Sequence, residues 1–158
     1  MASLEFLSHS PEDTQRFGRR LGELAKSGDV YLLSGKLGAG KTCLTQGIAW
    51  GLGSTEYAAS PTFVLMREMP GRLTLYHIDL YRLDNLAEIA DLGLDDYFYG
   101  KGVCVVEWAE KGFGVLPPER LHIQINYISD TERQFVLTAN GKRYQELTTQ
   151  INDLRLKN

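Results

Sequence analysis

The sequence predicts an α/β protein: three layers, with a mixed, partly parallel central sheet flanked by helices. Three observations carry that expectation. Short apolar runs of strand length alternate with segments of helical periodicity. A glycine-rich segment, Gly35 to Thr42, stands between one such run and one such helix. The last third then changes to apolar–polar alternation, the pattern of antiparallel strands with one wet face.

In order along the chain, residues 3–7 form a short first strand. Ser10-Pro11-Glu12-Asp13 starts a helix, with Ser as cap, Pro in the first turn and acids at the positive end of the dipole. Phe17, Leu21 and Leu24 give this helix one buried face, and it stops near Gly28. Val30 to Leu33 is a buried strand leading into the glycine-rich loop, and the next helix buries Leu44, Ile48 and Leu52. After a polar linker around 53–60, residues 62–69 and 72–80 pair as strands across Pro70-Gly71. Helical stretches near 84–91 and 93–99 precede a fully apolar strand, Val103 to Val106. Leu121, Ile123, Ile125 and Tyr127, then Phe135 and Leu137, mark a hairpin, and Leu147, Ile151 and Leu154 a closing helix.

The composition admits one ordinary globular domain over residues 1–158, with 43% apolar and 23% charged residues. Cys43 and Cys104 form no metal-knuckle or disulfide pattern. The first residues lack the basic and apolar regions of a leader, and no apolar run approaches membrane-spanning length, so a cytoplasmic protein without a membrane contact is expected. A net charge of −3 without a clustered basic face argues against gripping RNA alone.

Gly35-Lys36-Leu37-Gly38-Ala39-Gly40-Lys41-Thr42 fits GxxxxGK followed by Ser or Thr, in the strand–loop–helix context the motif needs. The residue types follow from the chemistry. Gly38 and Gly40 let successive N–H groups turn inward as an anion nest, and the helix adds its positive end. Lys41 would bridge the β- and γ-phosphates and the Thr42 hydroxyl would ligate Mg²⁺. The expected fold is therefore P-loop NTPase-like.

Such a protein needs a second acid at the end of a buried strand. Asp79 and Glu107 both qualify, and the more apolar strand before Glu107 is expected beside the loop strand. His77 and Asp79 share a strand face but lack the further His or Cys ligands of a transition-metal site. Trp108 reads equally as core or as a shield over the site. Thr62, in Ser60-Pro61-Thr62-Phe63, reads equally as a γ-phosphate switch or as a plain strand entry. No NKxD tetrapeptide follows the loop, which leaves adenine as the default base, and Arg67, Arg72 and Arg82 are scattered candidates for a finger.

With these residues in hand, the chain resembles the bacterial TsaE family, also called YjeE, the ATPases of tRNA N6-threonylcarbamoyladenosine biosynthesis. The likeness runs from Thr14 and Gly18 to Leu116-Pro117, through LGAGKT at 37–42, SPTF at 60–63, HIDLYRL at 77–83, DYF at 96–98 and VEW at 106–108. It implies that Leu37, Gly38, Ala39, Gly40, Lys41 and Thr42, with Cys43 beside them, hold ATP or ADP. It implies Thr42 and Glu107 as Mg²⁺ ligands, Thr62 in the switch, and Asp79 and Trp108 as required for activity. Pro11 to Thr14 would lie near the base or ribose. The candidate catalytic set is Lys41, Thr62, Asp79, Glu107 and Trp108.

The resemblance further implies slow ATP hydrolysis by the protein alone and action with two partner proteins, TsaB and TsaD. TsaD transfers the threonylcarbamoyl group to the adenosine 3′ of the anticodon in tRNAs reading ANN codons, and ATP turnover resets the assembly. The tRNA would be met only within that complex. The sequence departs from the family at Lys36, usually Asp, and at Cys43, usually Thr or Ser. A thiol at a helix start is expected to have a lowered pKa. Two other readings stay open, a small-molecule kinase with Asp79 as base and a non-hydrolysing nucleotide-dependent scaffold.

Overall fold

The computed structural model describes residues 2–36, 38–58 and 66–156. Among them a seven-stranded sheet is built from β1 (Ala2–Ser8), β2 (Val30–Ser34), β3 (Met66–Met69), β4 (Leu75–Asp79), β5 (Val103–Glu107), β6 (Arg120–Tyr127) and β7 (Arg133–Asn140). Its order is β1-β7-β6-β2-β5-β4-β3. The centre is parallel, with β2 between β6 and β5 and β4 beyond β5, while β1, β7 and β3 pair antiparallel at the two sides. The mixed sheet expected from the sequence is present, and the apolar strand before Glu107 lies beside the loop strand.

Helices α1 (Pro11–Leu24), α2 (Lys41–Gly51) and α5 (Lys142–Leu156) share one core with the sheet, around Leu21, Leu44, Ile48, Leu121 and Leu147. The short helices α3 (Leu86–Ala90) and α4 (Asp95–Phe98) share the other, around Leu32, Ile78, Ile89, Phe98 and Val106. The motif segment 96–98 thus serves packing: Phe98 fills this second core. Ser10 caps α1 by accepting the Asp13 N–H at 3.0 Å, as its sequence predicts.

Some elements are shorter than the sequence suggests, α4 among them. β4 begins at Leu75, because the chain after Pro70-Gly71 turns away from β3 toward α1. There the Arg72 guanidinium donates to the carbonyls of Gly22 at 2.9 Å and Ala25 at 3.0 Å. These are carbonyls at the end of α1, where helix oxygens lack their full set of intrahelical partners; that of Gly22 also accepts the Ala25 N–H at 3.3 Å. Arg72 therefore caps the end of a helix. The helical stretch near 84–91 shrinks to Leu86–Ala90, capped by Asn85 accepting from Glu88 N.

The helix that follows the glycine-rich loop is fixed in place by backbone-to-backbone packing. Gly18 and Gly22 of α1 face Gly47 and Gly51 of α2, so closely that a Cβ on Gly51 would lie 2.1 Å from the Arg19 carbonyl oxygen. A Cβ on Gly18 would lie 2.5 Å from that of Leu44. The neighbouring atoms are backbone and can move only with their helix. Gly51→Ala is expected to cost about 2–3 kcal/mol of stability, through overpacking, read as a lower urea midpoint.

Candidate nucleotide and cation site

β2 delivers the chain to the loop at the C-terminal end of the parallel strands. Gly35, with φ at +151°, passes so close to β6 that a Cβ there would sit 2.6 Å from the Ile125 carbonyl oxygen. Its N–H donates to the Glu110 carboxylate at 3.1 Å. At the other end, Gly40 is left-handed with φ at +111° and opens α2 without a side-chain cap. The uncapped first turn leaves its backbone N–H groups available to an anion, where the helix dipole is positive. The sequence-predicted loop residues Gly38, Ala39, Gly40, Lys41, Thr42 and Cys43 are brought together here, while Leu37 lies outside the described residues.

Lys41 folds back over this loop. Its ammonium donates to the carbonyls of Gly35 at 2.6 Å and Lys36 at 3.0 Å, and lies 3.9 Å from the centre of the Trp108 ring. Burial lowers the Lys41 pKa, against the pull of Glu110, Glu107 and Asp79. Trp108 is the one non-glycine residue among those described with positive φ, at +59°. That left-handed backbone aims its ring across the lysine, where it also meets Tyr81 at 5.0 Å. Trp108 both lies over Lys41 and packs against the second core, so its place meets both readings open for it, core and shield.

The two acids stand side by side. Asp79 ends β4 and Glu107 ends β5, paired in register, and Glu107 pairs in turn with Leu33 on the loop strand. Glu107 is 2% exposed and accepts from three side chains. The Thr42 hydroxyl donates to Oε1 at 3.1 Å and reaches Oε2 at 3.4 Å. The Thr45 hydroxyl donates to Oε2 at 3.2 Å, and His77 Nε2 is hydrogen-bonded to the same oxygen. Asp79 accepts the Tyr81 N–H at 2.9 Å, and burial raises its pKa above the usual aspartate range.

This donor set suits a small hard cation: a hydroxyl and two carboxylates, all oxygen, beside the place where phosphates would lie. A positive charge there would offset two neighbouring buried acids. Among the described residues there is no cluster of three or more His, Cys, Asp and Glu arranged for a metal. Thr62, the switch candidate, lies outside the described residues.

Beyond the loop, Pro11, Thr14, Gly40 and Cys43 line a cavity of about 150 Å³ together with Ser10, Asp130, Thr131 and Arg133. The α1 start expected near the base or ribose thus does adjoin the loop. Arg133 escaped the sequence reading. It donates through Nε to the Ala39 carbonyl at 2.9 Å and reaches that of Gly38 at 3.4 Å, with Tyr127 beneath its guanidinium. An arginine at a strand start carries no motif; only the folded hairpin brings it to the loop. Glu110 and Thr45 were missed for the same reason.

The thiol expectation is corrected. Burial raises the Cys43 pKa, with Glu12 adding to the effect, and its Sγ lies 3.5 Å from the Pro11 carbonyl oxygen. The packed helix α1 outweighs the helix-end field. Cys104 is fully buried and pushed up to about 12. In the native protein at pH 8, Cys43 is expected to alkylate more slowly than a free thiol and Cys104 not at all, as peptide mapping after iodoacetamide would measure.

The strand–loop–helix at the centre of a mixed sheet, with paired acids at the neighbouring strand ends, defines an α/β protein of the P-loop NTPase-like class. Within that class the chain belongs to the TsaE family: the model for "Threonylcarbamoyl adenosine biosynthesis protein TsaE" matches residues 8–135. It is 46% identical over 153 residues to the tRNA threonylcarbamoyladenosine biosynthesis protein TsaE of Bacillus subtilis, covering 96% of each chain. The TsaE protein of Treponema pallidum is 44% identical over 131 residues, 83% of this chain and 97% of that one. Among solved structures, Bacillus subtilis YdiB superposes with a TM-score of 0.82 at 40% identity, covering 99% of this chain and 97% of the other. No helix among the described residues is long and apolar enough to cross a membrane.

Proposed function

We propose that this chain is a Mg²⁺-dependent ATP-binding and slowly ATP-hydrolysing accessory protein for N6-threonylcarbamoyladenosine formation in tRNAs reading ANN codons. The observation that carries the reading is the meeting of the Thr42 hydroxyl with the Glu107 carboxylate beneath the uncapped start of α2. Membership of the TsaE family supplies the pathway.

In this reading the N–H groups of the loop and of the first turn of α2 bind the phosphate oxygens. Lys41 leaves the carbonyls of Gly35 and Lys36 and donates to the β- and γ-phosphates. Thr42 and Glu107 would hold Mg²⁺, with the Asp79 carboxylate beside them adding negative charge to the site. The ion, when bound, neutralises charge that develops on the phosphates during transfer to water. Trp108 covers the lysine and keeps solvent from that side. Thr62 senses the γ-phosphate from the switch segment.

The base or ribose enters the cavity between Pro11, Thr14 and Cys43, with Arg133 holding the loop's far side. The protein acts with TsaB and TsaD in the cytoplasm and meets tRNA only in their company. ATP turnover resets the assembly between rounds.

Fluorescent ADP and ATP titrations with and without Mg²⁺ test the binding half of this reading. Saturable binding that Mg²⁺ tightens, and that slows Cys43 alkylation, is expected; labelling of Cys43 at the same rate under saturating nucleotide would remove the base from this cavity. Arg133→Ala is expected to weaken nucleotide binding about tenfold, the worth of one charge-assisted hydrogen bond. An unchanged Kd would leave Arg133 as a strut of the hairpin.

A further inference from the structure

His77 is fully buried beneath α2, and its ring makes one hydrogen bond, from Nε2 to Glu107 Oε2. Nδ1 is also buried and has no hydrogen-bond partner among the described residues. Burying an imidazole costs free energy that hydrogen bonds must offset. Here the ring's one polar contact is with the acid assigned to the cation. Thr45 is placed beside the same oxygen but shares its one hydroxyl hydrogen between two acceptors. Its hydroxyl is tied to the Lys41 carbonyl of its own helix at 2.9 Å and lies 3.2 Å from the same Oε2.

The two oxygens of Glu107 are therefore unequal. Oε2 faces two buried donors, one from the sheet and one from the helix. Oε1 is left to Thr42 at 3.1 Å, on the side of the loop. We infer that His77 and Thr45 are positioning residues that pin Oε2 of Glu107 and so present Oε1, with the Thr42 hydroxyl, to the nucleotide's cation. The inference rests on the reading of Glu107 as a cation ligand.

The geometry explains why both donors are needed. A glutamate has three rotatable side-chain bonds, and an unrestrained one would lose that freedom on binding the ion. The His77 N–H on Oε2, with the Thr45 hydroxyl shared between that oxygen and the Lys41 carbonyl, fixes the carboxylate plane beforehand. Partners of this kind behind a metal ligand are typically worth about 10–100-fold in metal affinity. A carboxylate only accepts, so the imidazole hydrogen must sit on Nε2.

Two measurements test this. The first needs no substitution: long-range ¹H–¹⁵N spectra of the nucleotide-free protein should show His77 with its hydrogen on Nε2. A ring carrying hydrogen on Nδ1 alone overturns the inference. The second is Mn²⁺ binding to the ADP complex, followed by paramagnetic resonance. His77→Phe and Thr45→Val are each expected to weaken Mn²⁺ by about tenfold. His77→Gln, which keeps an N–H in reach of Oε2, should recover most of the loss.

Wild-type Mn²⁺ affinity in folded His77→Phe, or failure of glutamine to do better than phenylalanine, overturns the positioning role. Glu107→Ala separates the two claims. If it loses Mn²⁺ while His77→Phe does not, the cation reading stands and the clamp falls. If Glu107→Ala keeps Mn²⁺, both fall.

Discussion

Replacing Lys41 by alanine is expected to weaken ATP binding at least about 100-fold and to leave no measurable hydrolysis. Lys41 is a buried residue, so its charge-assisted bonds to phosphate oxygens are expected to form without a large further loss of water. Two such bonds at about 1.5–3 kcal/mol each give a loss on the order of two to four powers of ten in Kd. The fold should survive, because the partners Lys41 gives up are the carbonyls of Gly35 and Lys36, which face the open loop. Isothermal titration with ATP reads the first effect and phosphate release the second. ATP affinity within a factor of about three of wild type would remove Lys41 from the phosphates.

Glu107→Gln should have the second-largest effect, lowering Mg²⁺-dependent hydrolysis by about 100-fold, equivalent to about 3 kcal/mol. Glutamine keeps one acceptor for the donors grouped on Oε2 and removes the charge that a divalent ion requires. Alanine is a harsher test than the sequence alone suggested. It would leave the buried His77 N–H without an acceptor, at about 1–3 kcal/mol, while the Thr45 hydroxyl keeps the Lys41 carbonyl. A lower melting temperature in Glu107→Ala than in Glu107→Gln is therefore expected. Equal Mg²⁺ dependence in Glu107→Gln and wild type would show that the acid is structural.

Much of this arrangement was legible because it is local in sequence. The loop and its helix are consecutive residues, and the apolar run before Glu107 announces a buried central strand without knowledge of its neighbours. The pairing of Asp79 with Glu107 was within reach, since both end strands that the βαβ logic places side by side. What escaped was non-local. Arg133 reaches Ala39 across the hairpin, and Arg72 reaches the end of α1 across some fifty residues of chain. Such contacts depend on where loops travel, and no periodicity records that path. His77 was visible only as a neighbour of Asp79, because its partner lies on the next strand. The lowered pKa expected for Cys43 was reversed for a related reason: the helix start favours a thiolate, but α1 packs over it.

The most direct test of the account is ATP hydrolysis by the purified protein, alone and with TsaB, TsaD and tRNA, with Lys41→Ala as the blank. The account predicts slow phosphate release by the protein alone, strong stimulation by the partners, and neither in the blank. Tight ATP binding with no stimulation would contradict it, as would γ-label passing to any product other than free phosphate.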